Sequence, residues 1–192
     1  HVSMAEKLLV LQLSKLSNFI PDGGIWLNTQ RPEWNDANNA LVGYGVSMVT
    51  LYYLYRHITF INKVLVNVNE TELEMSNEVL AWFKDTNEAY KKHSPAVNEK
   101  LDPIKRKTFV QELQKVFMNY RQKTYNKSSS GESKIKVIDI VCFNNLALTH
   151  FENSISNNFK KSLYSAYNTI NIDSSDKINV TSLYSMLEGQ VS

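Results

Sequence analysis

A single cysteine, Cys142, stands in a chain of 192 residues, so no internal disulfide can form and no second thiol is present for a zinc site. It reads as a small apolar filler. An excess of one charge is also lacking. The 21 Lys and Arg face 19 Asp and Glu, a net charge of +2, and the basic residues are scattered rather than gathered into a stripe. That distribution gives no reason to expect a nucleic-acid partner. The four histidines, His1, His57, His93 and His150, are far apart and show no ligand spacing. His57, at the end of an apolar helix, reads as a packed or capping residue. Neither a phosphate-cradling Gly loop nor a Ser-His-Asp or Cys-His arrangement is detectable. The start, HVSMAEKLLVLQL, lacks the basic region and small-residue cleavage site of a signal peptide. The most apolar run, residues 40–55, is 16 residues long and includes two Gly, a Ser and a Thr, which falls short of a membrane span. A soluble protein is expected, cytoplasmic or periplasmic.

What is present is core-forming material. Hydrophobic residues make up 43% of the chain, enough for one domain of ordinary size. Apolar spacing predicts a helix over residues 4–19 carrying Leu9, Leu13 and Leu16, ended by the Pro21, Asp22, Gly23, Gly24 run. A second helix is expected over 39–66, buried on nearly all sides. A third covers 70–93 with Met75, Val79, Trp82, Phe83 and Tyr90 on one face. Asp102 followed by Pro103 starts a fourth helix, with Val110, Leu113, Phe117 and Tyr120 inward. Residues 126–134 form a polar loop. The fifth segment, 135–157, opens with a run that suits a strand, but its length and the spacing of Val141, Leu148, Phe151 and Ile155 predict a helix. After an irregular link with a short extended piece at 169–172, a last helix is expected from Asn179 or Thr181, with Leu183, Met186 and Leu187 inward. The expected class is therefore all-α, built of antiparallel helical hairpins.

Polar chemistry concentrates in IWLNTQRPEWNDANNALVGYG, residues 25–45. Its PEWNDANNALVG portion, residues 32–43, resembles the Asp-Trp-Asn-Asp signature of the cellobiose and chitobiose phosphorylases, in the six-hairpin glycosidase superfamily. A second stretch, SLYSAYNTI followed by VTSLYSMLEGQ within residues 162–190, is similar to a segment of large bacterial proteins of that superfamily. The resemblance implies an (α/α)6 toroid with its active site on loops entering inner helices. Six helices against the dozen of a toroid imply that residues 1–192 are a segment of a larger chain, with the remainder of that chain as a partner beside an oligosaccharide substrate.

The resemblance further implies cleavage or phosphorolysis of glycosidic bonds. Such chemistry needs a carboxylic acid at the leaving oxygen and either a second carboxylate or a bound phosphate. Matching the motif places the acid on Asp36, while Glu33 stands at its first acidic position. No cofactor is implied beyond inorganic phosphate as a possible co-substrate. Trp26 and Trp34 offer faces for sugar rings, and Arg31, Asn35, Asn38 and Asn39 offer hydrogen bonds to hydroxyls. Tyr44, Tyr164, Tyr167 and Glu188 complete the candidate substrate-binding set.

Plainer readings stand beside each of these. Asp36, Asn38 or Asn39 suits a helix N-cap, the tryptophans suit plugs at a helix end, and Arg31 suits a structural pair with Glu33. The asparagines and Asp36 are also hard-oxygen calcium ligands, although their spacing fails the EF-hand pattern. The tyrosine pair equally fits one face of a helix turn. Sequons at Asn69, Asn126 and Asn179 carry little weight in an Asn-rich chain. The alternative to an enzyme is a non-catalytic helical scaffold or interaction module.

Overall fold

Asp102 and Pro103 start a helix as the sequence predicts. The Asp102 carboxylate accepts the backbone N–H groups of Ile104 (2.9 Å) and Lys105 (3.3 Å), and proline sits in the first turn, where no N–H is needed. The computed structural model describes residues 2–28, 40–96, 99–126, 131–160, 162–172 and 177–185. Within them α1 (Met4–Leu16) precedes three short strands, β1 (Phe19–Ile20), β2 (Gly24–Trp26) and β3 (Gly45–Ser47). Then come α2 (Met48–Val66), β4 (Glu72–Ser76), α3 (Asn77–Lys92), α4 (Pro103–Tyr125), β5 (Glu132–Lys136) and α5 (Val137–Asn157). The strands β6 (Phe159–Lys160), β7 (Leu163–Ile172) and β8 (Ile178–Ser185) follow.

The fold is α+β, which corrects the expected all-α class and overturns the (α/α)6 toroid with its helical hairpins. A 6-stranded antiparallel sheet runs in the order β1-β2-β3-β7-β6, with β8 also on β7. The register sets Ile25 opposite Ser47, Val46 opposite Asn168 and Ile170 opposite Val180. The physical reason lies in side-chain type. Thr169, Ile170, Ile172, Ile178, Val180 and Thr181 are β-branched and fit a pleated surface, and this outweighs the helical spacing read at Leu183. The link and the start of the last helix expected there are instead the paired strands β7 and β8, and Leu183 is exposed, while Met186 and Leu187 lie outside the described residues.

Three other helices start later than expected. Residues 72–76 and 132–136 pair as a separate two-stranded ribbon, with Leu73 opposite Ile135 and the opposite charges Glu74 and Lys134 facing one another. The helix predicted from residue 39 begins only at Met48, because Ser47 caps it by accepting the Thr50 N–H and the three residues before it pair as β3. Nor is it buried on nearly all sides: Tyr53, Phe60 and Val64 are exposed.

Most of the predicted core positions are buried nonetheless. Leu9, Leu13, Leu16, Met75, Val79, Trp82, Phe83, Tyr90, Leu113 and Phe151 belong to one apolar cluster formed by the helices, β1, β2 and the ribbon. Trp82 stacks on Phe117 and Tyr120 with ring centroids 5.2 and 4.1 Å apart. A second cluster, Ile20, Val46, Val110, Ile170 and Ile178, joins the sheet to α4. Cys142 is exposed rather than core filler.

Candidate functional site

Trp26 ends β2, and its indole N–H donates to the Gly43 carbonyl at 3.1 Å. Two backbone bonds close the same neck: Gly43 N–H to the Leu27 carbonyl (2.7 Å) and Leu27 N–H to the Gly45 carbonyl (2.9 Å). Gly45 fits because a Cβ there would strike the Leu41 side chain and carbonyl. The neck also accounts for the two glycines that fall inside the helix expected over 39–66. Gly43 turns the chain at φ 90°, and Gly45 pairs in β3. The chain between Asn28 and Ala40 therefore springs from a fixed base.

Seven of the predicted site residues fall in that interval: Arg31, Glu33, Trp34, Asn35, Asp36, Asn38 and Asn39 lie outside the described residues, as does Glu188. The structure brings Trp26 and Tyr44 together at the neck, where the exposed Tyr44 hydroxyl donates to the Ala40 carbonyl at 3.0 Å. Tyr167 is buried with Leu41 and Ala166. Its place is in the packing behind the neck. Tyr164 is exposed on β7 and meets Tyr52 edge-on and Phe159 at a tilt of 45°, with centroids 6.0 and 4.7 Å away. Burial, and then the nearby Tyr164, push the Tyr52 phenol above its ordinary range, so it stays protonated and donates to the Ser165 carbonyl at 2.9 Å.

Beside Trp26 runs a groove of about 430 Å³. Its long wall is one face of α4, carrying Lys107, Gln111, Gln114, Met118 and Gln122, with Lys115 and Asn119 alongside. These residues follow the helical period at intervals of four, three, four and four, so one stripe is exposed along the helix. Ile172 at the end of β7 and Ile178 at the start of β8 form the other side. Gln114 ties the wall to the neck by donating to the Ser17 carbonyl (2.8 Å) and to Asn18 Oδ1 (3.3 Å), which also accepts from Asn28 (2.6 Å). Sequence reasoning missed this wall because it followed only the inward face of α4. The signal was the amide series on the opposite positions.

A buried polar knot lies elsewhere, and its chemistry is structural. Arg106 Nη2 donates to Asp22 Oδ2 at 2.6 Å, and its other N–H groups reach the carbonyls of Pro21, Ile178 and Leu101. Asp22 also accepts from Leu101 N–H (2.9 Å) and the Asn157 amide (2.8 Å). Every one of these contacts is internal, so the knot fixes the turn after β1 against α4 and α5.

His57 lies within α2, half-buried, rather than capping its end, and its Nε2 has no hydrogen-bond partner among the described residues. Among the described residues no group of three or more His, Cys, Asp or Glu side chains is placed to hold a metal ion, and no helix is long and apolar enough to cross a membrane. No protein-family model matches the chain, and no curated protein matches it. The likeness to six-hairpin glycosidases and their phosphorylases thus fails on both grounds, since the toroid is absent and no family supports it.

Proposed function

We propose that the chain binds a saccharide in the groove between Trp26 and α4. One observation carries the reading: an indole shares a groove of about 430 Å³ with the amides of Gln111, Asn119 and Gln122. Amides both donate and accept, which suits the hydroxyls of a sugar ring, and an aromatic side chain supplies apolar area with a preferred face. The groove dimensions suit a small ligand.

Hydrolysis and phosphorolysis are left out of this reading, because they came only with the toroid. The function is binding, which agrees with the non-catalytic module considered as the alternative to an enzyme.

Titration calorimetry against a panel of oligosaccharides tests the proposal. Trp26→Ala is expected to weaken binding about tenfold or more, in line with buried aromatic anchors, and Gln111→Ala about threefold. Absence of binding to every saccharide, or binding that ignores both substitutions, would sink the reading.

A further inference from the structure

We propose that the groove beside Trp26 takes a linear oligosaccharide of at least three rings, laid lengthwise along α4. The inference rests on the saccharide reading above and adds the length of the ligand. A straight row of side chains carries it. Gln111, Lys115, Met118 and Gln122 line the groove, all four are exposed, and they follow one another at intervals of four, three and four residues. At about 100° per residue they stay within about 60° of one another around the helix, so they form a single line along its axis. Asn119 stands beside Met118 in the same wall.

The row has an anchored end and a far end. Trp26 marks the first: it packs against the cluster that contains Val110, and its backbone N–H donates at 2.8 Å to the carbonyl of Asn18, whose side chain accepts from Gln114. The indole therefore stands level with the stretch of α4 from Val110 to Gln114. Gln122 lies eleven residues beyond Gln111, about 16 Å along the axis. A pyranose unit crosses some three to four covalent bonds of about 1.5 Å between its glycosidic oxygens, and so advances a chain by about 5 Å. One ring at Trp26 meets Gln111 and goes no further. Two rings reach Met118, and a third is needed to meet Gln122.

The side chains of the row match the two kinds of surface that a sugar chain offers. The amides of Gln111, Asn119 and Gln122 and the Lys115 ammonium suit hydroxyls, while the indole and the Met118 side chain, 56% exposed, suit the C–H faces of the rings. Two other lining residues are already engaged within the protein. Gln114 holds the Ser17 carbonyl and Asn18, and Lys107 has an interaction of its own.

Titration calorimetry with chain-length pairs tests this: cellobiose against cellotriose, xylobiose against xylotriose, and chitobiose against chitotriose. In a pair that binds, the third ring should tighten binding about three- to tenfold, the worth of one further hydrogen-bonded amide. Gln122→Ala should abolish that step and leave the affinity for the two-ring probe unchanged, whereas Trp26→Ala should weaken both probes. Gln122 is exposed, so the variant should keep the parent thermal midpoint. Equal affinity for two and three rings, a step that persists in Gln122→Ala, or a Gln122→Ala loss already present with two rings overturns the length inference. With the Trp26→Ala loss intact, each of those results leaves the saccharide groove standing. Failure of every probe, short and long, takes both down.

Discussion

At the scale of single residues, two buried polar groups set how the protein responds to substitution and acid. Removing the carboxylate from the Asp22–Arg106 pair leaves a guanidinium with 6% side-chain exposure and no counter-ion. Asp22→Ala is expected to cost about 3–5 kcal/mol, read as a lowered urea midpoint, whereas a cost below about 1 kcal/mol would show that the pair is hydrated. His150 is the acid-sensitive group. Burial among Phe19, Tyr90 and Phe109 lowers its pKa to about 4 despite the Tyr90 carbonyl, whose acceptance of the Nε2 proton at 3.0 Å acts the other way. The neutral ring's contribution is full above pH 6.5 and is lost as pH falls toward 4, because there the unfolded chain binds a proton that the folded one refuses. The shift amounts to about 3 kcal/mol at most. Urea unfolding between pH 7 and pH 4 should therefore fall less steeply in His150→Phe than in the parent chain. Parallel slopes would remove His150 from the acid response.

At the scale of elements, Trp82 shows what was legible. Its place at helical spacing with Val79, Phe83 and Tyr90 put it in the core from sequence alone, and it is 2% exposed. Trp82→Ala should cost about 3–5 kcal/mol in thermal or chemical unfolding, with loss of the Phe117 and Tyr120 stacking. The strands were harder to read. β4 and β5 abut helices directly, so their apolar residues Met75 and Ile135 extend the periodic run of the helix that follows. Their pairing joins residues 72–76 to residues 132–136, a relation no local window contains. The Trp26 site was legible in one residue only: its tryptophan stands in a conspicuous polar stretch, but its wall comes from α4, some eighty positions later. Reversing the facing charges of the ribbon offers a further check. Lys134→Glu, opposite Glu74 and losing the ion pair with Glu72 at 3.9 Å, should lower stability by about 0.5 kcal/mol, and a second change of Glu74→Lys should recover part of it.

At the scale of the whole molecule, the sheet ties the beginning of the chain to its end. β3 pairs β7, Asn168 donates to the Gly23 carbonyl, and the Arg106 guanidinium reaches the Ile178 carbonyl. Such distant pairings carry loop-closure cost and slow folding. A chain cut after Asn158, lacking β6, β7 and β8, should unfold without a cooperative transition by circular dichroism, since β3 and the Asp22 turn lose their partners. A sharp transition in that fragment would show that the helices form a self-sufficient core. The neck at Trp26 has a different consequence. Its closing bonds lie at positions 26–27 and 43–45, outside the interval they enclose. Substitutions within residues 29–39 therefore remove none of the bonds that hold this base together.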